Sequence, residues 1–164
     1  MRAFRLALSA CVVACLLALA ATGLSQSEQK SEAGKWNISE ADLTQIKQAA
    51  LDYCESWYEA SAEKIERAVH PDLAKRIVTT DPQTKRSRFE HMGAMRLYQA
   101  VRSGGGKNTP KEKQLKNVTV LDVFGNTASV KAEMSDWIDY MHIAKFNGRW
   151  VIVNVLWEMK PRQQ

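Results

Sequence analysis

Cysteine is scarce in this 164-residue chain and is placed where it can do little. Two of the three, Cys11 and Cys15, fall in an N-terminal apolar run, which leaves Cys54 alone in the body of the chain. An intramolecular disulfide is thereby excluded once the run is removed, and stability has to come from a hydrophobic core. Cys54 falls on the apolar side of a predicted helix and is expected as a small buried residue, not a nucleophile. Histidine is equally sparse: His70, His91 and His142 share no ligand-like spacing and no carboxylate cluster accompanies them, so neither a metal nor another cofactor is expected. The chain also lacks a Ser-His-Asp signature and a phosphate-cradling glycine loop; "GGG" at 104–106 reads as slack. Basic residues concentrate in "QTKRSR" and "KNTPKEKQLK" without interleaved aromatics, the pattern of solvated loops, and nucleic-acid binding is not expected.

The one long apolar run is at the start. "MRAFR" is a basic n-region, "LALSACVVACLLALA" an apolar core, and Ala18-Leu19-Ala20 and Ala21-Thr22-Gly23 are cleavage boxes of small residues. This pattern is that of a secretory signal over 1–25, too short to remain as a spanning helix. The expected location is periplasmic or secreted, with no stable membrane insertion after cleavage. The apolar run continues past Cys11 and Cys15, which ranks soluble export above lipid anchoring. Arg2 and Arg5 carry two of the formal +5 charges, so the mature chain holds +3. Residues 26–37 form a polar leader, and 38–160 a single domain.

Within that domain helices come first. Ser39-Glu40-Ala41-Asp42 begins a helix running to about Ala60, with Leu43, Ile46, Ala50, Tyr53, Cys54 and Trp57 as its apolar stripe and Lys47, Asp52, Glu55 and Glu59 on other sides. Ser61 caps a short second helix that ends at His70-Pro71. "LAKRIVTT" has strand character, "DPQTKRSR" is a loop, and "GAMRLYQAVRS" is a third helix. From Leu115 the periodicity becomes alternating, with Gly125-Asn126 and Asn147-Gly148 as hairpin turns in a four-strand meander. The fold class is α+β, helices packed on one side of a curved, mainly antiparallel sheet.

Two-residue turns fix a register in which Leu121 faces Val130, Met134 faces Trp137 and Ile143 faces Ile152. One face then gathers Leu121, Val123, Ala128, Val130, Ala132, Met134, Trp137, Met141, Ile143, Trp150, Ile152 and Leu156. Asp139 and Asn154 are the polar side chains inside it. Tyr140, His142, Val153, Val155 and Trp157 take the other face. A bulge at the middle link would exchange the faces of the last two strands.

"ALDYCESWYEASAEKIERAVHPDLAKR" and "VTVLDVFGNTASVKAEMSDWIDYMHIAKFNGRWVIVNVLWE" resemble, in order, the two halves of the nuclear transport factor 2-like superfamily, in particular its SnoaL-like and putative lumazine-binding branches. The resemblance implies a cone-shaped half-barrel with a pocket between helices and concave sheet, a His-Pro near that pocket, and homodimers formed through the outer sheet face. It implies no single activity.

The residues themselves give each candidate two readings. His70 is a helix-end residue or a pocket-rim acid/base. Asp139, on an apolar face, is bonded structurally to Tyr53, Asn154 or a backbone amide, or is an acid/base with a raised pKa. Tyr53 and Trp57 are core aromatics or the walls against which a planar ring stacks. The leading expectation is an exported protein binding a small organic ligand through Tyr53, Trp57, His70, Asp139 and Asn154. A cofactor-independent isomerase, dehydratase or hydrolase using Asp139 or His70 is the second, and a non-catalytic dimeric scaffold the third.

Overall fold

The computed structural model describes residues 38–161; the signal peptide and the leader expected from the sequence lie outside these residues. Helix α1 spans Glu40–Glu59, and the Ser39 hydroxyl accepts the Asp42 N–H at its start. At its other end Ala60 adopts a left-handed conformation and donates its N–H to the Ser56 carbonyl. Ser61 then caps α2, Ala62–Ala68. Pro71 pushes the preceding chain into extended geometry, and β1, Val69–Thr80, begins two residues before it. The remaining elements are β2 (Ser87–Gly93), α3 (Ala94–Arg102), a 3-10 turn at Lys111–Lys113, β3 (Asn117–Phe124), β4 (Thr127–Glu133), β5 (Trp137–Phe146) and β6 (Arg149–Met159).

The six strands form one sheet in the order β2-β1-β6-β5-β4-β3. Every neighbouring pair is antiparallel except β1 with β6, which is parallel and joins the meander to the N-terminal half. Helix α1 packs across β3, β4 and β6, and α3 across β1 and β2. The core between them includes Ile46, Ala50, Cys54, Ile65, Val130, Met141 and Ile152, each 1% exposed or less. Burying each of the larger aliphatic side chains contributes roughly 1.5–3 kcal/mol. Cys54 is buried, and that burial pushes its thiol up to about 12, an inert residue.

The three tight links are present. Phe124 pairs with Thr127, Phe146 with Arg149, and the Met134 N–H donates to the Trp137 carbonyl. Asn147 and Gly148 both have positive φ, as a type I′ hairpin turn requires. The buried Tyr58 of α1 fixes the Ser135-Asp136 link, its hydroxyl accepting the Ser135 N–H. Ile143 faces Ile152 as expected, but Val120, not Leu121, faces Val130.

Two bulges, at Leu121 in β3 and Val153 in β6, correct the derived faces. Past Val153 the last strand turns over: Val155 is buried and Trp157 packs on the core, while Leu156 is exposed. Leu121, placed inside by the uninterrupted register, is likewise exposed. Asp52 is a further correction, for it is buried and receives hydrogen bonds from Arg67 and Gln48. The edge strand β2 corrects the end of the stretch read as a loop, for it takes in Ser87 and Arg88 and runs on through residues to which no element was assigned.

Candidate functional site

Alternation along β1 points Leu73, Lys75 and Ile77 inward, all three buried. Lys75 therefore enters the space between the sheet and α1 on the same face as Asp139 of β5. Its Nζ lies 2.5 Å from Asp139 Oδ1 and 2.7 Å from the Tyr53 hydroxyl, which α1 brings down from above. Tyr53 in turn donates to Asp139 Oδ1 over 3.4 Å, and the Trp137 indole donates to Asp139 Oδ2 at 2.8 Å. The Trp157 ring centroid stands 4.6 Å from Lys75 Nζ, close enough for a cation–π contact.

The electrostatics follow from the dryness of this cluster. Burial favours the uncharged form of Lys75 and lowers its pKa, and the Asp139 carboxylate opposes that shift. Burial, reinforced by Asp139, holds the Tyr53 phenol well above its ordinary value, so it stays a protonated hydrogen-bond donor. The carboxylate is fully buried and engaged on both oxygens by protein donors.

A hollow of about 230 Å³ opens directly over Lys75. Its walls include Tyr53, Trp57, Trp137 and Trp157. Trp57 meets Trp137 edge-on at 5.5 Å and Trp137 meets Trp157 edge-on at 6.1 Å. The glycine run after α3 closes against this wall: the Gly106 N–H donates to the Trp57 carbonyl, and a Cβ on Gly106 would lie 2.4 Å from Trp57 Nε1. Gly105 and Gly106 are a close-packing requirement, not slack, whereas Gly104 has open space beside it.

Residues 41–158 match the family described as "Putative lumazine-binding". The chain belongs to that family. Among solved structures, this family member resembles an NTF2-like protein of unknown function from Methylobacillus flagellatus KT, with a TM-score of 0.58 and 22% identity over 76% of this chain and 96% of that one. An NTF2-like protein of unknown function from Shewanella baltica OS155 aligns at TM-score 0.55 and 15% identity, covering 77% of this chain and all of the other. A cystatin-like protein of unknown function from Nostoc punctiforme PCC 73102 aligns at 0.52 and 14%, covering 76% and 95%. At these identities the likeness shows the NTF2/cystatin-like fold. No curated protein matches the chain.

Set against the sequence expectations, the family member brings Tyr53, Trp57 and Asp139 together and separates the other two. His70 lines a different hollow, about 650 Å³, with Glu66, Tyr98, Phe146 and Arg149. There its ring packs edge-on against Phe146 and its Nδ1 accepts the Asp72 N–H. Asn154 is a correction: the Val153 bulge turns it to the outer face, where it accepts from Arg76 and contacts His142. Lys75 and Trp157 are the site residues that the sequence reading missed. For Lys75 the signal was available in the Leu73-Lys75-Ile77 alternation; for Trp157 it depended on the bulge. Among the described residues no cluster of three metal-ligating side chains occurs.

Proposed function

We propose that this protein is exported and binds one small, planar organic molecule in the hollow over Lys75, with a carbonyl or similar acceptor on the molecule's edge directed at that lysine. One observation carries the reading: an open space walled by three tryptophans and a tyrosine carries a nearly buried ammonium at one end. Aromatic walls favour a flat ring by stacking and apolar burial, and Lys75 supplies a donor that sets its orientation. Trp57 and Trp137 touch edge-on and leave the hollow of about 230 Å³ beside them open, which supports binding over a scaffold with a filled core. Asp139 lies behind Lys75 and both its oxygens are engaged by protein donors, which favours its role as the lysine's counter-ion over that of a base acting directly on the ligand.

The family's description makes lumazine, a flat bicyclic dione, the first probe. Titrated into the purified protein, it is expected to quench tryptophan fluorescence with one-to-one stoichiometry, and calorimetry should return the same stoichiometry. Trp157→Ala is expected to weaken binding about tenfold, the equivalent of about 1.4 kcal/mol. No response to lumazine, together with no small molecule retained in native mass spectrometry of the protein from its own cells, would sink the reading. Export rests on the pattern of residues 1–25. It is tested by the N-terminal residue of periplasmic protein, expected just after Ala20 or Gly23.

A further inference from the structure

We infer that Lys75 is an imine-forming amine, and that the molecules this hollow accepts include aromatic aldehydes or ketones that condense reversibly with it. The inference rests on the hollow being a ligand site and extends that reading to a chemical class and a covalent step.

The geometry supplies each part of the step. The Lys75 amine is 6% exposed and lines the aromatic hollow, so a carbonyl compound lodged there is held against it. Asp139 Oδ1, 2.5 Å away, takes the proton that the ammonium must lose before nitrogen can attack. Burial works in the same direction, since it favours the neutral amine. The nitrogen lone pair then forms a bond to the carbonyl carbon, and the carbonyl π pair moves to oxygen. Tyr53, which lines the hollow and is hydrogen-bonded to the same nitrogen at 2.7 Å, gives that oxygen its proton and takes one from the now cationic nitrogen, so that it ends as a phenol and the nitrogen regains its lone pair. In the resulting carbinolamine the hydroxyl leaves as water on a proton from Tyr53, which Asp139 replaces across their hydrogen bond, and the nitrogen lone pair closes the C=N bond. Loss of the remaining nitrogen proton gives the neutral imine; retention leaves an iminium beside the Asp139 carboxylate. One amine and one carbonyl give one imine and one water, with no oxidant or reductant. The tryptophan walls restrict water, which would reverse the condensation.

A purely structural ion pair would look similar at rest but would not react. The test incubates the purified protein with benzaldehyde, traps any imine with sodium borohydride, and maps N-benzyl lysine by peptide mass spectrometry. The expected result is an adduct at Lys75 that forms faster than at exposed lysines such as Lys47 and Lys85. Tyr53→Phe, which keeps the amine and the ring, is expected to slow that adduct without changing the rate at Lys47. Labelling confined to exposed lysines, or no faster at Lys75 than at Lys47, in protein with native circular dichroism overturns the inference. Lumazine, which has no aldehyde, keeps the two proposals apart. Lumazine binding without an adduct removes only the imine, and an adduct without lumazine binding removes only that choice of ligand.

Discussion

Removing Asp139 while Lys75 stays would leave an ammonium in the core with a phenol and a ring face as its remaining company. Breaking a buried pair in this way costs about 3–5 kcal/mol, because the surviving charge has no compensation. Asp139→Asn is therefore expected to lower the urea midpoint steeply, and Lys75→Met combined with Asp139→Leu to recover most of the loss. A single variant as stable as the parent would show that the pair carries no charge. In the first turn of α1, hydrogen bonds from Lys145, Trp150 and Ser39 hold the Asp42 carboxyl at about 2 instead of 3.8. A carboxyl depressed in this way stabilises the fold above its unfolded value, and the contribution is lost as pH falls through that window. Asp42→Asn should therefore show a shallower fall in Tm between pH 3.8 and about 2 than the parent protein. At this scale the sequence was partly legible. Asp139 announced itself as a carboxylate on an apolar face, whereas Lys75 sat in a strand whose alternation was not followed through. Tyr53 and Trp57 lay on a stripe that any amphipathic helix would show, so their position over a hollow needed the opposite wall.

Among the elements, the turns were readable and the bulges were not. Asn147-Gly148 demands positive φ at both central residues, a local requirement that fixes the pairing beside it. A bulge satisfies no local rule. Val153 is extra because Val155 and Trp157 gain more by facing the core than Asn154 and Leu156 would, a preference set by the helices above. Edge strand β2 was illegible for a related reason. Most of its side chains are exposed, so no burial pattern marks it, and its charged residues suit an unpaired edge. The segment after α3 shows how a connection can shape the hollow. Gly106→Ala places a methyl against the Trp57 indole, so either the loop or the ring must move. The expected outcome is a shifted tryptophan emission maximum and weaker lumazine quenching, with far-UV circular dichroism unchanged. Unaltered emission would mean that the loop yields and the wall does not depend on it.

For the molecule as a whole, the outer sheet face poses the main question. Phe89, Val78, Leu156 and Tyr140 are all 42% exposed or more and lie on neighbouring strands, a band of apolar surface crossing β2, β1, β6 and β5. Such a band favours self-association, and the sequence expectation of a homodimer through this face stands as a proposal. Light scattering is expected to give a dimer mass for the parent and a monomer mass for Leu156→Asp; a monomeric parent would refute it. The α+β class and the helix-first order were legible because amphipathic period and turn chemistry are local. The closure of the sheet was not, since β1 and β6 are separated by most of the domain and nothing in either strand names its partner.

That parallel seam between β1 and β6 has a kinetic corollary. Lys75 comes from the first strand, Trp157 from the last and Asp139 from the one before it, so the polar end of the hollow is assembled from opposite ends of the domain. Long-range pairings of this sort are slow to close. On a ribosome, the lysine would wait for its counter-ion until most of this domain had emerged, and for its ring neighbour slightly longer. The hollow is thus complete only with the final strand, as the last act of folding.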